Sequence, residues 1–329
     1  MNKIKSIGIL TSGGDSPGMN ACYRAVVRSA LASGIKPYAI LDGYYGIFHD
    51  EVKEVTSVDV SDIIARGGTK IGTARLPEMK EREVQEKAAN ILKGLGVDAL
   101  VCIGGDGTYA GAQKLTELGI NCIGLPGTID NDIACTDFTI GFDTALNTIV
   151  ENIDKIKETS TSHKRCAVVE VMGRYCPDLA VFAGLATGAE LVITQLNPMS
   201  EEEILAKMTK VHETGKRSAL VVVAEHMLDV HDLAKKIEAA SGYETRATVL
   251  GHIQRGGNPT ANDRILASRL AYHAVELLKE GKGGLALGIV DNHIKATPIL
   301  EALSMKGQNT ESDKIKTAKE ILEITRIIE

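Results

Sequence analysis

Short apolar runs that stop at Gly, Asp or Asn recur along the chain, each followed by a stretch with helical periodicity. Runs over 6–11, 37–42, 99–104, 121–125, 165–171, 191–194, 219–224, 247–250 and 285–290 read as strands. Several are apolar on both faces, the pattern of a parallel strand covered on both sides. Between them, 143–157 carries Leu146, Ile149, Ile153 and Ile156 on one helical face. This alternation predicts a doubly wound α/β architecture with mostly parallel sheets. Ligands of such sheets bind beyond the carboxyl ends of the strands, so chemistry is expected in the loops after these runs.

Composition narrows the picture. The 329 residues suggest two lobes, since domains commonly hold ~100–200 residues. Hydrophobic residues at 44% and charged residues at 24% are enough for a core and a wet surface. A net charge of −6 argues against a general nucleic-acid or membrane binder, which needs clustered Lys and Arg. The six cysteines form no C-x-x-C pair, and Cys102, Cys122 and Cys166 sit inside apolar runs, where Cys behaves as a small hydrophobe. Met1-Asn2-Lys3-Ile4-Lys5 leads straight into a strand-like run, and no apolar stretch approaches the ~18 residues of a membrane span. A reducing cytoplasm is the expected compartment.

Three loops carry the candidate chemistry. Thr11-Ser12-Gly13-Gly14-Asp15-Ser16-Pro17-Gly18 joins the first strand to a helix starting near Met19. Glycines let backbone N–H groups approach an anion, and the helix N-terminus adds a favourable dipole; the plain alternative is a tight turn. Gly104-Gly105-Asp106-Gly107-Thr108 places a carboxylate between glycines at a strand end, which suits Mg²⁺ or, more simply, a helix cap. Pro126-Gly127-Thr128-Ile129-Asp130-Asn131-Asp132 holds two carboxylates at i and i+2, one able to take a proton from a hydroxyl. Alone it could be an Asx-rich turn. Three such loops at three strand ends favour one phosphoryl-transfer site.

A phosphorylated substrate needs guanidinium groups, which grip phosphate with two parallel hydrogen bonds. Arg75, Arg165, Arg174, Arg246, and His252 with Arg255 are the candidates, each on its own more ordinary as a solvated cation. Arg24 and Arg28 stand i, i+4 on the helix 19–33, a repulsive pair unless an anion lies between them.

The ordered set T-S-G-G-D-x-P-G-M-N, G-G-T-x-x-G-T-A-R, G-G-D-G-T, P-G-T-I-D-N-D, E-V-M-G-R and E-T-R-A-T-V-L-G-H-I-Q-R-G-G resembles the bacterial ATP-dependent 6-phosphofructokinase family over about 4–289. The resemblance implies that Gly14, Arg75, Leu76, Gly105, Asp106, Gly107 and Thr108 bind ATP, with Asp106 on Mg²⁺. It implies Asp130 as general base on the sugar 1-hydroxyl, assisted by Thr128 and Asp132, with Arg75, Arg174 and Gly14 around the transferring phosphoryl group. Ile129, Met172, Gly173, Glu225, Arg246, His252, Ile253, Gln254, Arg255 and Arg165 would contact fructose 6-phosphate. Arg165 and Arg246 would reach across a subunit interface, which implies a homotetramer. The implied lobes are an ATP/Mg lobe of 1–141 plus 254–304 and a sugar-phosphate lobe of 142–253 plus 305–329, with the active site in the cleft between them.

Pyrophosphate-using relatives carry Asp where this chain has Gly107 and Lys where it has Gly127, so Gly at both positions is expected to leave room for the nucleotide's α-phosphate. The family's effector site for ADP or phosphoenolpyruvate maps onto Arg24, Arg28, Lys157, Gly188, Glu190, Lys216 and Arg217. Ser57 and Thr214 stand where relatives carry Arg and Lys, Lys157 replaces an Arg, and Pro177 replaces a Gly. The implied reaction is ATP-dependent phosphorylation of fructose 6-phosphate in glycolysis. Rival readings are a pyrophosphate-dependent or other sugar-phosphate kinase, and a non-catalytic sugar-phosphate sensor on the same fold.

Overall fold

The computed structural model describes residues 4–305 and 313–328; the stretches 1–3, 306–312 and 329, which hold the lead into the first strand and part of the tail expected in the sugar lobe, lie outside the described residues. In chain order the elements are β1 (Ser6–Ser12), α1 (Met19–Ala32), β2 (Lys36–Ile40), β3 (Val52–Glu54), α2 (Arg82–Gly94), β4 (Ala99–Gly104), α3 (Asp106–Glu117), β5 (Asn121–Pro126) and α4 (Phe142–His163). There follow β6 (Arg165–Val171), α5 (Asp178–Thr187), β7 (Leu191–Ile193), α6 (Glu201–Glu213), β8 (Ala219–Ala224), α7 (Val230–Ser241) and β9 (Glu244–Val249). Last come α8 (Ala261–Lys279), β10 (Leu285–Val290), β11 (His293–Pro298), α9 (Ile299–Ser304) and α10 (Asp313–Ile328). The chain divides into a first unit of 1–129, 133–144 and 255–309, and a second of 130–132, 145–254 and 310–329.

The first unit is a seven-stranded sheet in the order β11-β10-β5-β4-β1-β2-β3. Its inner strands run parallel, and β3 and β11 pair antiparallel at the two edges. β1 and β4 are buried at every position, which is why both read as unbroken apolar runs. α1 and α8 cover one face with Val26, Val27, Leu270 and Val275. α2, α3 and α9 cover the other with Leu92, Tyr109, Leu115 and Ile299. From β1 the chain leads through α1 to β2 on one side, whereas β4 leads through α3 to β5 on the other. The sheet therefore switches direction between β1 and β4, where the loops diverge and leave room for a ligand.

The second unit is a four-stranded parallel sheet, β7-β8-β6-β9, packed on α6 and α7 through Ile204, Met208, Leu233 and Ile237. Ser200 starts α6 with a capping box, its hydroxyl accepting from the Glu203 N–H while Glu203 accepts from the Ser200 N–H. Pro177 precedes the first residue of α5 at φ −79°, a backbone that proline adopts without strain, so replacing a Gly there is locally harmless.

The structure departs from the sequence reading at boundaries and edges. β9 begins at Glu244 rather than near 247, because it is an edge strand whose first residues, Glu244, Thr245 and Arg246, are polar and form no apolar run. Edge strands β3 and β11 are largely exposed and carried no apolar run. α4 extends to His163, beyond the expected 157. Among the described residues no helix is long and apolar enough to cross a membrane. Burial pushes the thiols of Cys22 and Cys122 up, and that of Cys166 to about 12, in keeping with Cys as core filler.

Candidate active site

In the first unit, the loops after β1, β4 and β5 meet. Thr108 Oγ1 donates to the Ser12 carbonyl at 3.1 Å, and the Gly127 N–H donates to the Gly104 carbonyl at 3.1 Å. Gly104 is required here: a Cβ would stand 2.4 Å from the Ser12 carbonyl oxygen and 2.3 Å from Thr108 Oγ1. The segment 72–75 is laid along the β1 loop, with Thr11 Oγ1 donating to the Gly72 carbonyl at 2.6 Å and Thr73 Oγ1 to the Gly13 carbonyl at 3.0 Å. Arg75 projects from it exposed, beside half-buried Leu76. Arg255, expected among the sugar contacts, belongs to this unit too. Its guanidinium lies 3.3 Å from where a Gly14 Cβ would stand and 3.9 Å from Asp15 Oδ1. Gly14, Arg75, Gly105, Asp106, Gly107, Thr108, Thr128 and Arg255 thus belong to one set of loops.

Asp106 opens α3, and neither Gly105 nor Gly107 has an atom within 4 Å of where its Cβ would be. A half-buried carboxylate between two open glycines at a helix N-terminus fits a cation that keeps waters and bridges phosphate oxygens. Among the described residues no group of three His, Cys, Asp or Glu could hold a metal by itself. At Gly127 a Cβ would meet Met19 Cε at 2.8 Å and Ile103 Cγ2 at 3.0 Å. At Gly107 nothing lies within 4 Å of where a Cβ would stand, so that position is open.

Beyond Thr128 and buried Ile129, Asp130 and Asp132 belong to the second unit. Between them Asn131 adopts φ 56°, and its side-chain amide donates to Asp178 Oδ2 at 2.7 Å, at the start of α5. Asn tolerates the left-handed backbone, and the hydrogen bond fixes the turn that presents both carboxylates.

At the carboxyl ends of β6, β8 and β9 the second unit gathers another group. Glu225 Oε1 accepts from the Gly173 N–H at 3.1 Å and the Arg174 N–H at 2.5 Å. The Met172 N–H donates to Gln254 Oε1 at 3.0 Å. Gly173 (φ 135°) and Arg174 (φ 58°) are held in left-handed backbone by these bonds, while His252 and Ile253 are exposed. Burial and then the neighbouring Glu225 push the Glu170 carboxyl up.

Arg165 and Arg246 are not part of this group. β6 pairs with β9 in register Arg165↔Glu244 and Ala167↔Arg246, so both arginines lie at the amino ends of the strands. A parallel strand rises about 3.3 Å per residue, so the seven residues of β6 separate Arg165 from the Met172–Arg174 loop by roughly 20 Å. One bound sugar phosphate cannot touch both groups of a single chain.

Of the expected effector residues in the second unit, Lys157 Nζ donates to the Thr187 carbonyl beside Gly188, and Lys216 Nζ pairs with Glu190. Glu190 also accepts from the Leu220 N–H at 2.6 Å, and Arg217 Nε donates to the Thr161 carbonyl at 2.8 Å. Arg24 and Arg28 lie on α1 in the first unit, and no carboxylate pairs with either among the described residues. A cavity of about 410 Å³ in the second unit touches Glu190 but is otherwise lined away from these cations, by Asn197, Glu203, Lys207, Thr325 and Arg326 among others.

The phosphofructokinase family model matches residues 6–278. The chain is 52% identical over 318 residues to a protein of Vibrio vulnificus named ATP-dependent 6-phosphofructokinase, covering 97% of this chain and 99% of that one. The chain belongs to the phosphofructokinase family. Its fold superposes on the phosphofructokinase of Pichia pastoris with a TM-score of 0.91 at 34% identity, covering 99% of this chain and 40% of that one. Against the Saccharomyces cerevisiae phosphofructokinase the TM-score is 0.85 at 35% identity, covering 98% of this chain and 47% of that one. The chain therefore spans less than half of each of these two yeast chains.

Several residues that support the phosphofructokinase loops carried no local signal in the sequence. Asn20 donates to the Arg66 and Gly67 carbonyls and accepts from the Lys70 N–H, anchoring the segment that leads to Arg75. Tyr44 donates to the Thr108 carbonyl at 2.7 Å. Asp263 is buried and accepts from the Gly141 and Thr144 N–H groups, capping the start of α4. Their partners lie 46 to 122 residues away in the chain, beyond any local pattern.

Proposed function

We propose that the chain transfers the γ-phosphoryl group of ATP to the 1-hydroxyl of fructose 6-phosphate, giving fructose 1,6-bisphosphate. The observation that carries the reaction class is the meeting of three Gly/Asp loops at neighbouring strand ends around the β1/β4 switch point. Donor and acceptor rest on the near full-length relatives named for that reaction.

The first unit is the nucleotide unit. Backbone N–H groups of Gly14 and of 105–108 cradle phosphates, and Arg75 supplies a guanidinium for developing charge. Asp106 would hold Mg²⁺, which when bound neutralises charge on the β- and γ-phosphate oxygens. The second unit takes the sugar phosphate. Asp130 accepts the proton of the 1-hydroxyl, Thr128 and Asp132 orient that hydroxyl, and Arg174 meets the phosphoryl group. Met172, Gly173, Glu225, His252, Ile253, Gln254 and, from the first unit, Arg255 line the sugar side.

Arg165 and Arg246, at the far end of the β6/β9 pair, serve a neighbouring copy of the chain, which makes the working form an oligomer, read from the family as a homotetramer. ADP and phosphoenolpyruvate are the candidate effectors at Arg24, Arg28, Lys157, Gly188, Glu190, Lys216 and Arg217. The compartment is the cytoplasm. A coupled assay that follows bisphosphate formation with ATP, and separately with pyrophosphate, tests the reading.

A further inference from the structure

Arg165 and Arg246 do not project alone. Arg165 Nη2 donates to Glu244 Oε1 at 2.8 Å, and Arg246 Nη2 donates to the same oxygen. Arg246 Nη1 reaches Glu238 Oε2 at 3.3 Å, but that oxygen already accepts from the Thr245 N–H at 2.9 Å. One carboxylate oxygen of Glu244 is therefore the shared focus of two guanidiniums on neighbouring strands. These charges, together with His163, favour its ionised form, and the Arg165 hydrogen bond holds its carboxyl below the usual range.

The geometry is incomplete in one respect. Nε and Nη2 form one edge of a guanidinium, the fork that grips two oxygens of a phosphate. Glu244 takes the Nη2 of Arg165, while Nε is buried and has no hydrogen-bond partner. A phosphomonoester offers the oxygens to fill both positions of that edge and to reach Arg246 as well. Doing so competes with Glu244 for Nη2 of Arg165 and Nη2 of Arg246.

We infer that Glu244 is a built-in competitor for the Arg165–Arg246 pair, which a phosphomonoester must displace. This rests on the reading above that the two arginines take the phosphate of fructose 6-phosphate. Glu244 touches no reacting atom; it sets how tightly the sugar phosphate is held without entering the chemical step. It also gives a reason for a Glu between two phosphate-binding arginines, where it would otherwise only repel the ligand.

The test is a set of fructose 6-phosphate saturation curves at saturating ATP for the parent, Glu244→Gln, Glu244→Asp, Arg165→Ala and Arg246→Ala, with melting curves for each. Glu244→Gln keeps shape and removes charge. It should lower the half-saturation concentration about three- to tenfold, the scale of releasing two partly exposed ion pairs, and leave kcat within about twofold. Glu244→Asp keeps the charge and should stay within about twofold of the parent on both. Each arginine variant should raise half-saturation by at least about tenfold. If the arginine variants behave so but Glu244→Gln is unchanged or weaker, Glu244 merely orients the arginines and the competition is overturned. A Glu244→Asp that shifts as far as Gln overturns it equally, since length and not charge would then be at work. If neither arginine variant alters saturation, the sugar-phosphate reading of the pair falls, and the inference with it.

Discussion

Asp130 stands half-buried in a turn whose central residue, Asn131, is tied to Asp178. That arrangement fixes where the carboxylate is. Asp130→Asn should therefore leave fructose 6-phosphate binding nearly intact and lower kcat by about 10²–10⁴, the usual worth of a general base. Steady-state kinetics with a separate binding measurement check both halves, and near-normal turnover would take Asp130 out of the role. Asp106 makes a different demand. With Gly105 and Gly107 open on either side, its carboxylate is the proposed metal contact. Asp106→Ala should lose most Mg²⁺-dependent turnover, and a Mg²⁺ titration of rate checks this; an unchanged curve would move the ligand elsewhere. Asp106 leaves a local trace in the sequence because glycines flank it at a strand end, and Asp130 because Asp132 follows at i+2. Asn20 and Tyr44 left none, because what makes them matter is a carbonyl brought near by folding.

Strands were legible where both faces are buried, as in Ala99–Gly104 and Ala219–Ala224. They were not where one side meets water: β11 pairs with β10 through His293, Lys295 and their neighbours, which form no apolar run. The cap of a helix start, unlike its periodicity, can come from a distant part of the chain. Asp263, at the start of α8, caps α4 rather than only its own helix. Replacing it by Ala leaves buried N–H groups unpaired, each costing ~1–3 kcal/mol, and should lower the melting midpoint by several degrees. Burial pushes the Asp263 carboxyl above its ordinary 3.8, against hydrogen bonds from Thr144 and Gly141. The folded state then binds that proton more tightly than the unfolded chain. The group's contribution is full below the unfolded pKa and is lost as pH rises through the raised folded value. The stability advantage of the parent over Asp263→Asn should shrink as pH is raised from about 4 to about 7, measured by denaturant midpoints; an advantage that grows would reverse the sign of the shift.

At the scale of the whole molecule, the residues proposed as an effector site are divided between the two units. Lys157 is bonded to a carbonyl and Lys216 to Glu190, while Ser57 and Thr214 supply no charge. Each charge-assisted bond to phosphate is worth roughly 1.5–3 kcal/mol, so a site short of two cations should respond weakly to ADP and phosphoenolpyruvate. Saturation curves for fructose 6-phosphate with each effector check this, and strong sigmoidal inhibition at low phosphoenolpyruvate would show that other groups compensate. The proposed sharing of sites between subunits comes from the family likeness, and the β6/β9 register agrees with it in setting Arg165 and Arg246 apart from the Met172–Arg174 loop. The most direct test of the account is the product itself. With Mg²⁺, ATP and fructose 6-phosphate, the protein should form fructose 1,6-bisphosphate and ADP in equal amounts, and pyrophosphate should not replace ATP. Bisphosphate formed from pyrophosphate but not from ATP, or no bisphosphate from either donor, would contradict it.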